Sequence, residues 1–96
     1  MVVGMLCLCL KLDSCRSLKD KRQILRSLMD KTRRDFGVAI AEVGDHDLWN
    51  SAVVGISCVS NDSTHAESIL QHVVDAFDGI PLVEVEEAIR DVERRF

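Results

Sequence analysis

"LVEVEEAIRDVERRF", residues 82–96, can be read in two ways, and the choice between them decides the fold. Val85, Ile89, Val92 and Phe96 recur at steps of four, three and four, the spacing of one helix face. The opening "LVEVE" instead alternates apolar and charged residues, as a strand with one wet face does. Periodicity does not arbitrate between the two. The elements that precede the tail supply the argument.

"VVGMLCLCLKL" (2–12) is apolar on both faces, with Leu6, Leu8, Leu10 and Leu12 on one and Val3, Met5, Cys7 and Cys9 on the other. That predicts a central strand. "SLKDKRQILRSLMDKTRRDF" (17–36) predicts a helix: Ser17 is its N-cap, Asp20 sits three residues on, and Gly37 supplies the stop. Its inward stripe is Leu18, Ile24, Leu25, Leu28, Met29 and Phe36. "VAIAEV" (38–43) and "WNSAVVGISCVS" (49–60), joined through "GDHDL", read as a strand hairpin. "NDSTHAESILQHVVDAF" (61–77) is a second helix, capped by Asn61 or Asp62, with Ala66, Ile69, Leu70, Val73 and Phe77 inward and Gly79 and Pro81 ending it.

Strand, helix, strand, strand, helix is a split β-α-β unit that lacks its last strand. Completing it makes part of 82–95 a strand. The fold class is then α+β: a ferredoxin-like βαββαβ domain over residues 1–96, with a four-stranded antiparallel sheet and two helices on one face. Val2–Leu12 and Asn50–Val59 become the two central strands. Both sheet faces are apolar enough to be covered. We assign the leucine row, with Ala52, Val54, Ile56 and Cys58, to the core, and leave Val3, Met5, Cys7, Cys9, Val53 and Val59 on an open face.

Ninety-six residues, 47% hydrophobic and 29% charged, describe one ordinary core with no low-complexity tract or repeat. The first twelve residues lack the basic segment and small-residue cleavage site of a signal peptide, and no run is long enough to span a bilayer. A cytoplasmic protein without membrane contact is expected. Cys7, Cys9, Cys15 and Cys58 fit that compartment as free thiols; a C-x-C pair with no second ligand pair does not predict a metal.

Three stretches, "SLKDKR" (17–22), "EVGDHDLW" (42–49) and "VSND" (59–62), resemble the small bacterial YlxP-like proteins in content, order and separation. The resemblance covers most of the chain and is weakest after Pro81. It implies a ferredoxin-like fold and no established activity. That family's genes often neighbour those for ribosome maturation and translation initiation, which points toward ribosomal RNA or a ribosomal particle as partner.

Charge is segregated along the chain. Residues 11–34 carry nine Lys and Arg against three Asp, whereas residues 35–89 carry eleven acidic residues and no Lys or Arg, within a net charge of −4. On a helical wheel Lys19, Arg22, Arg26 and Arg33 share one flank of the first helix, spanning about 21 Å. Such a ladder suits a phosphate backbone, where cations gain affinity by releasing counterions. Lys21 points toward the apolar stripe; it either snorkels out along the helix end or joins "KDKR" in a small cationic site.

The base-stacking aromatics of RRM-type sheets are missing, with no Tyr and only Trp49 near the sheet edge, so any RNA contact is expected through phosphates. "DHD" (45–47) reads as a polar turn, and His65 and His72, seven residues apart on one helix, are too distant to share a metal. No Gly-x-Ser-x-Gly setting or phosphate-cradling glycine loop occurs. The expectation is a non-enzyme without cofactor that acts by binding RNA or a ribosomal particle through its basic helix. The alternative is a protein-interaction or small-ligand module that forms a homodimer through Met5, Cys7 and Cys9 on the open face.

Overall fold

The tail is a strand. In the computed structural model, which describes residues 1–96, the chain runs β1 (Val2–Lys11), α1 (Leu18–Phe36), β2 (Ala39–Gly44), β3 (Ser51–Ser60), α2 (Ser63–Asp78) and β4 (Glu84–Arg94). The sheet order is β2-β3-β1-β4, antiparallel throughout, so β1 and β3 are central as expected and the tail forms an edge. β3 begins at Ser51 rather than Trp49, because the preceding residues stay in the turn that leads out of β2.

The helices start and stop where their caps dictate. Ser17 Oγ accepts from Asp20 N at 3.1 Å while Asp20 Oδ2 accepts from Arg16 N at 3.0 Å, a reciprocal cap at the start of α1. Gly37 adopts φ 63°, a left-handed conformation that a residue without Cβ takes at no cost, and its N–H closes on the Arg33 carbonyl at 3.0 Å. Asp62, the second of the two candidate caps, begins α2 by accepting from Thr64 N.

The leucine row is the core face. Leu6, Leu8, Leu10 and Leu12 are buried against Ala52, Val54, Ile56 and Cys58 of β3 and against Ala66, Leu70, Val73 and Phe77 of α2. α1 packs on the β2 side of the sheet and α2 over β1 and β4. Gly4 allows the closest approach: a Cβ there would lie 2.9 Å from Cys58 Sγ and 3.1 Å from a Leu70 methyl. Of the expected α1 stripe only Leu25 is fully buried, the others being half-buried, while Lys21 and Thr32 are buried beside it.

Candidate functional site

Lys21 corrects the sequence reading. It does not reach the surface: it is 1% exposed, and its Nζ donates to the carbonyls of Asp45 and Leu48 at 2.6 Å each. Glu42 Oε2 lies 2.8 Å from the same Nζ, off the directions of a well-aligned hydrogen bond, so that contact is an ion pair. The cause is local. Val38, Ile40 and Glu42 alternate onto the helix-facing side, so the last of them sets a carboxylate under α1, and the turn after β2 leaves two carbonyls without strand partners. An ammonium on the inward side of α1 satisfies all three groups. "SLKDKR" and "EVGDHDLW" therefore meet at one internal staple, and Lys21 leaves the candidate phosphate-binding set. The signal was legible as a lysine on an apolar stripe and a glutamate on the core parity of a strand.

The "DHD" turn is occupied in the same way. Asp45 Oδ2 accepts from Ser51 Oγ at 3.3 Å and His46 Nε2 lies 3.2 Å from the Glu42 carbonyl, contacts that shape the turn.

Arg33 also departs from the ladder. Its Nη1 pairs with Asp30 Oδ1 at 3.0 Å and its Nη2 donates to the Ile40 carbonyl at 2.8 Å, so it ties α1 to the open edge of β2. Lys19, Arg22 and Arg26 remain. All three are exposed and none has an acidic oxygen within 4.0 Å. With Gln23 they line a shallow polar groove of about 310 Å³ on the flank of α1. Arg16 and Arg94, also without acidic partners, sit before the helix and at the end of β4.

The second surface is the open sheet face, on the side away from both helices. Met5, Cys7, Ala39, Ala41, Gly55 and Ile89 line a broad apolar groove of about 470 Å³ there. Met5, Val43, Val59 and Ile89 all show more than a third of their surface, the largest being Val59 at 67%. Cys7 and Cys9 are half-buried within it. Burial first, then neighbouring Cys7 and Glu87, push the Cys9 thiol above the ordinary range, and burial does the same for Cys15 and Cys58. These three stay protonated at neutral pH and make weak nucleophiles and metal ligands. No helix is long and apolar enough to cross a membrane.

With this geometry in view, the comparisons with known proteins agree among themselves. The profile of a family described as "Protein of unknown function (DUF503)" matches residues 3–90. The uncharacterised protein YlxP of Bacillus subtilis (strain 168) is 35% identical over 78 residues, which cover 81% of this chain and 84% of that protein. A de novo designed protein with ferredoxin fold, solved by solution NMR, superposes with a TM-score of 0.53 at 11% identity, covering 99% of this chain and 87% of that one. The first two are similar in sequence; the third has the same fold and nothing more.

Proposed function

The chain belongs to the DUF503 family of proteins of unknown function, and from that premise we propose that it acts by binding rather than catalysis, holding RNA through phosphate contacts on the flank of α1. One observation carries the reading: Lys19, Arg22 and Arg26 stand together, exposed and without acidic partners, in a chain whose net charge is −4. Cations neutralised by neighbouring carboxylates gain little from a phosphate, whereas unpaired ones gain the full counterion release. Ribosomal RNA or a ribosomal particle in the cytoplasm is the partner that the YlxP-like resemblance supplies. Phosphate contacts carry no sequence information, so binding is broad in sequence.

The test is a salt titration with a ribosomal RNA fragment. Three phosphates neutralised on a single strand give a slope of log K against log salt of roughly −2, at ~0.7 per contact. Arg26→Ala is expected to flatten it by about 0.7 and weaken all sequences alike. Arg94→Ala, at the far edge of the sheet, leaves it unchanged. Equal slopes for wild type and Arg26→Ala, or no binding at about 50 mM salt, would return the flank to solvent.

A further inference from the structure

The open sheet face divides into two unlike halves. Strand pairing places Ala41, Gly55, Cys7 and Ile89 at one level across the sheet, and Ala39, Ser57, Met5 and Asp91 at the next on the same face. At these two levels the β2 and β3 half presents only Ala, Gly and Ser, with the Val43 side chain leaning over Gly55, 3.1 Å from where a Cβ would stand. At the same levels the β1 and β4 half carries the larger side chains Met5 and Ile89, while the exposed bulk of the other half is Val43 and Val59. Charge divides along the same line. Glu87, Asp91 and Glu93 lie on the β4 side of this face, while β2 and β3 place no charged residue there.

We propose that a second copy of this chain covers the face, related by a two-fold axis parallel to the strands. Such an axis keeps every residue at its own level and exchanges the halves. Ile89 then lies over Ala41 of the partner subunit, Cys7 over Gly55 of the partner subunit, and Asp91 over Ala39 of the partner subunit. At the two central levels Ile89 and Met5 meet Ala and Ser, and each acidic row meets an uncharged one. The other aligned arrangement, with the axis across the strands, stacks β4 on β4 and sets carboxylates against carboxylates, a like-charge contact that opposes association. Facing sheets in aligned packing keep their strand directions within about 30°, so the central levels stay matched.

The area suffices. Four strands ~4.8 Å apart and about eight residues long at ~3.3 Å each present roughly 500 Å² per copy. Two copies bury on the order of 1,000 Å², the lower bound for a specific interface. The outcome is a four-layer molecule with the sheets inside and the helices, including both basic flanks, outside. Nothing in it requires the RNA reading, since the two surfaces lie on opposite sides of the sheet.

Sedimentation of the wild-type protein at about 100 µM is expected to give a dimer, an affinity ordinary for an interface of this size. The arrangement is tested at Ala39, exposed at the edge of β2. Ala39→Glu faces a carboxylate of the partner and raises the dissociation constant by about tenfold or more. Ala39→Lys faces the same carboxylate with opposite sign, leaves the constant within about threefold, and makes it salt-sensitive. A wild type that stays monomeric at this concentration would overturn the proposal, leaving the groove to a small molecule or a different protein. Equal dissociation by both variants would overturn the two-fold along the strands.

Discussion

Lys21 carries a positive charge that never meets solvent, and this sets what its loss does. Lys21→Ala leaves Glu42 without its counter-charge and removes a donor from two carbonyls, of which that of Asp45 keeps only the Leu48 N–H. Breaking a buried pair by removing one partner costs about 3–5 kcal/mol, and the lower end applies because the Glu42 side chain is 20% exposed. For a chain this short, that lowers Tm by more than about 10 °C. Thermal unfolding of Lys21→Ala checks it, and a loss under about 1 kcal/mol would mean that water replaces the ammonium at the turn. The variant weakens the fold and, while folded, leaves the salt slope of RNA binding unchanged, opposite to Arg26→Ala. Here sequence reading went half way. Wheel position showed that Lys21 points inward and that Lys19, Arg22 and Arg26 point outward. The acceptors of Lys21 lie more than twenty residues on, in the turn after β2, and Arg33 is claimed by Asp30 and the Ile40 carbonyl. Partners brought together by tertiary structure have no signature in spacing.

β4 shows why the tail reads as both helix and strand. Its register against β1 runs Cys9↔Glu87 and then Leu10↔Val85, leaving Glu86 as an extra residue in a bulge. Without the bulge, Val85 and Val92, an odd number of residues apart, would face opposite sides of the sheet. With it, both pack against the core, and a seven-residue spacing that mimics two helical turns arises inside a strand. Ile89, second in the helical series, lies on the other face at 55% exposure. The order of the preceding elements was therefore the better guide, because a split β-α-β unit needs a fourth strand to cover β1. The two readings separate by mutation. Val92→Ala is expected to cost about 1–2 kcal/mol for a partly buried side chain, while Ile89→Ala stays within about 0.5 kcal/mol. Urea unfolding at low protein concentration measures both, and equal losses would place the two on one buried face.

Across the whole molecule the charges separate by position as they do by sequence. Three of the unpaired cations, Lys19, Arg22 and Arg26, line the flank of α1, which lies toward the β2 edge through Arg33 and Ile40, and the acidic row of β4 occupies the opposite edge. Three strand spacings of ~4.8 Å part the edges, so about 14 Å or more separates the acids from a strand of RNA on the flank. The Debye length is about 30 Å at 0.01 M salt and about 8 Å at 0.15 M. On the proposed RNA reading the acids would therefore repel the ligand at low salt, confine it to one side and hold affinity down, and would be screened at physiological salt. Replacing Glu84, Glu86 and Glu87 by Gln is accordingly expected to tighten binding of a ribosomal RNA fragment severalfold at about 0.01 M salt and to leave it unchanged at about 0.15 M. This long-range effect differs from that of Arg26→Ala, which removes a contact and alters binding wherever the contact forms. Titrations of the two variants at both salt concentrations distinguish them. Equal tightening at both would place the β4 acids within a few ångströms of the ligand, and so move the RNA from the helix flank to the sheet.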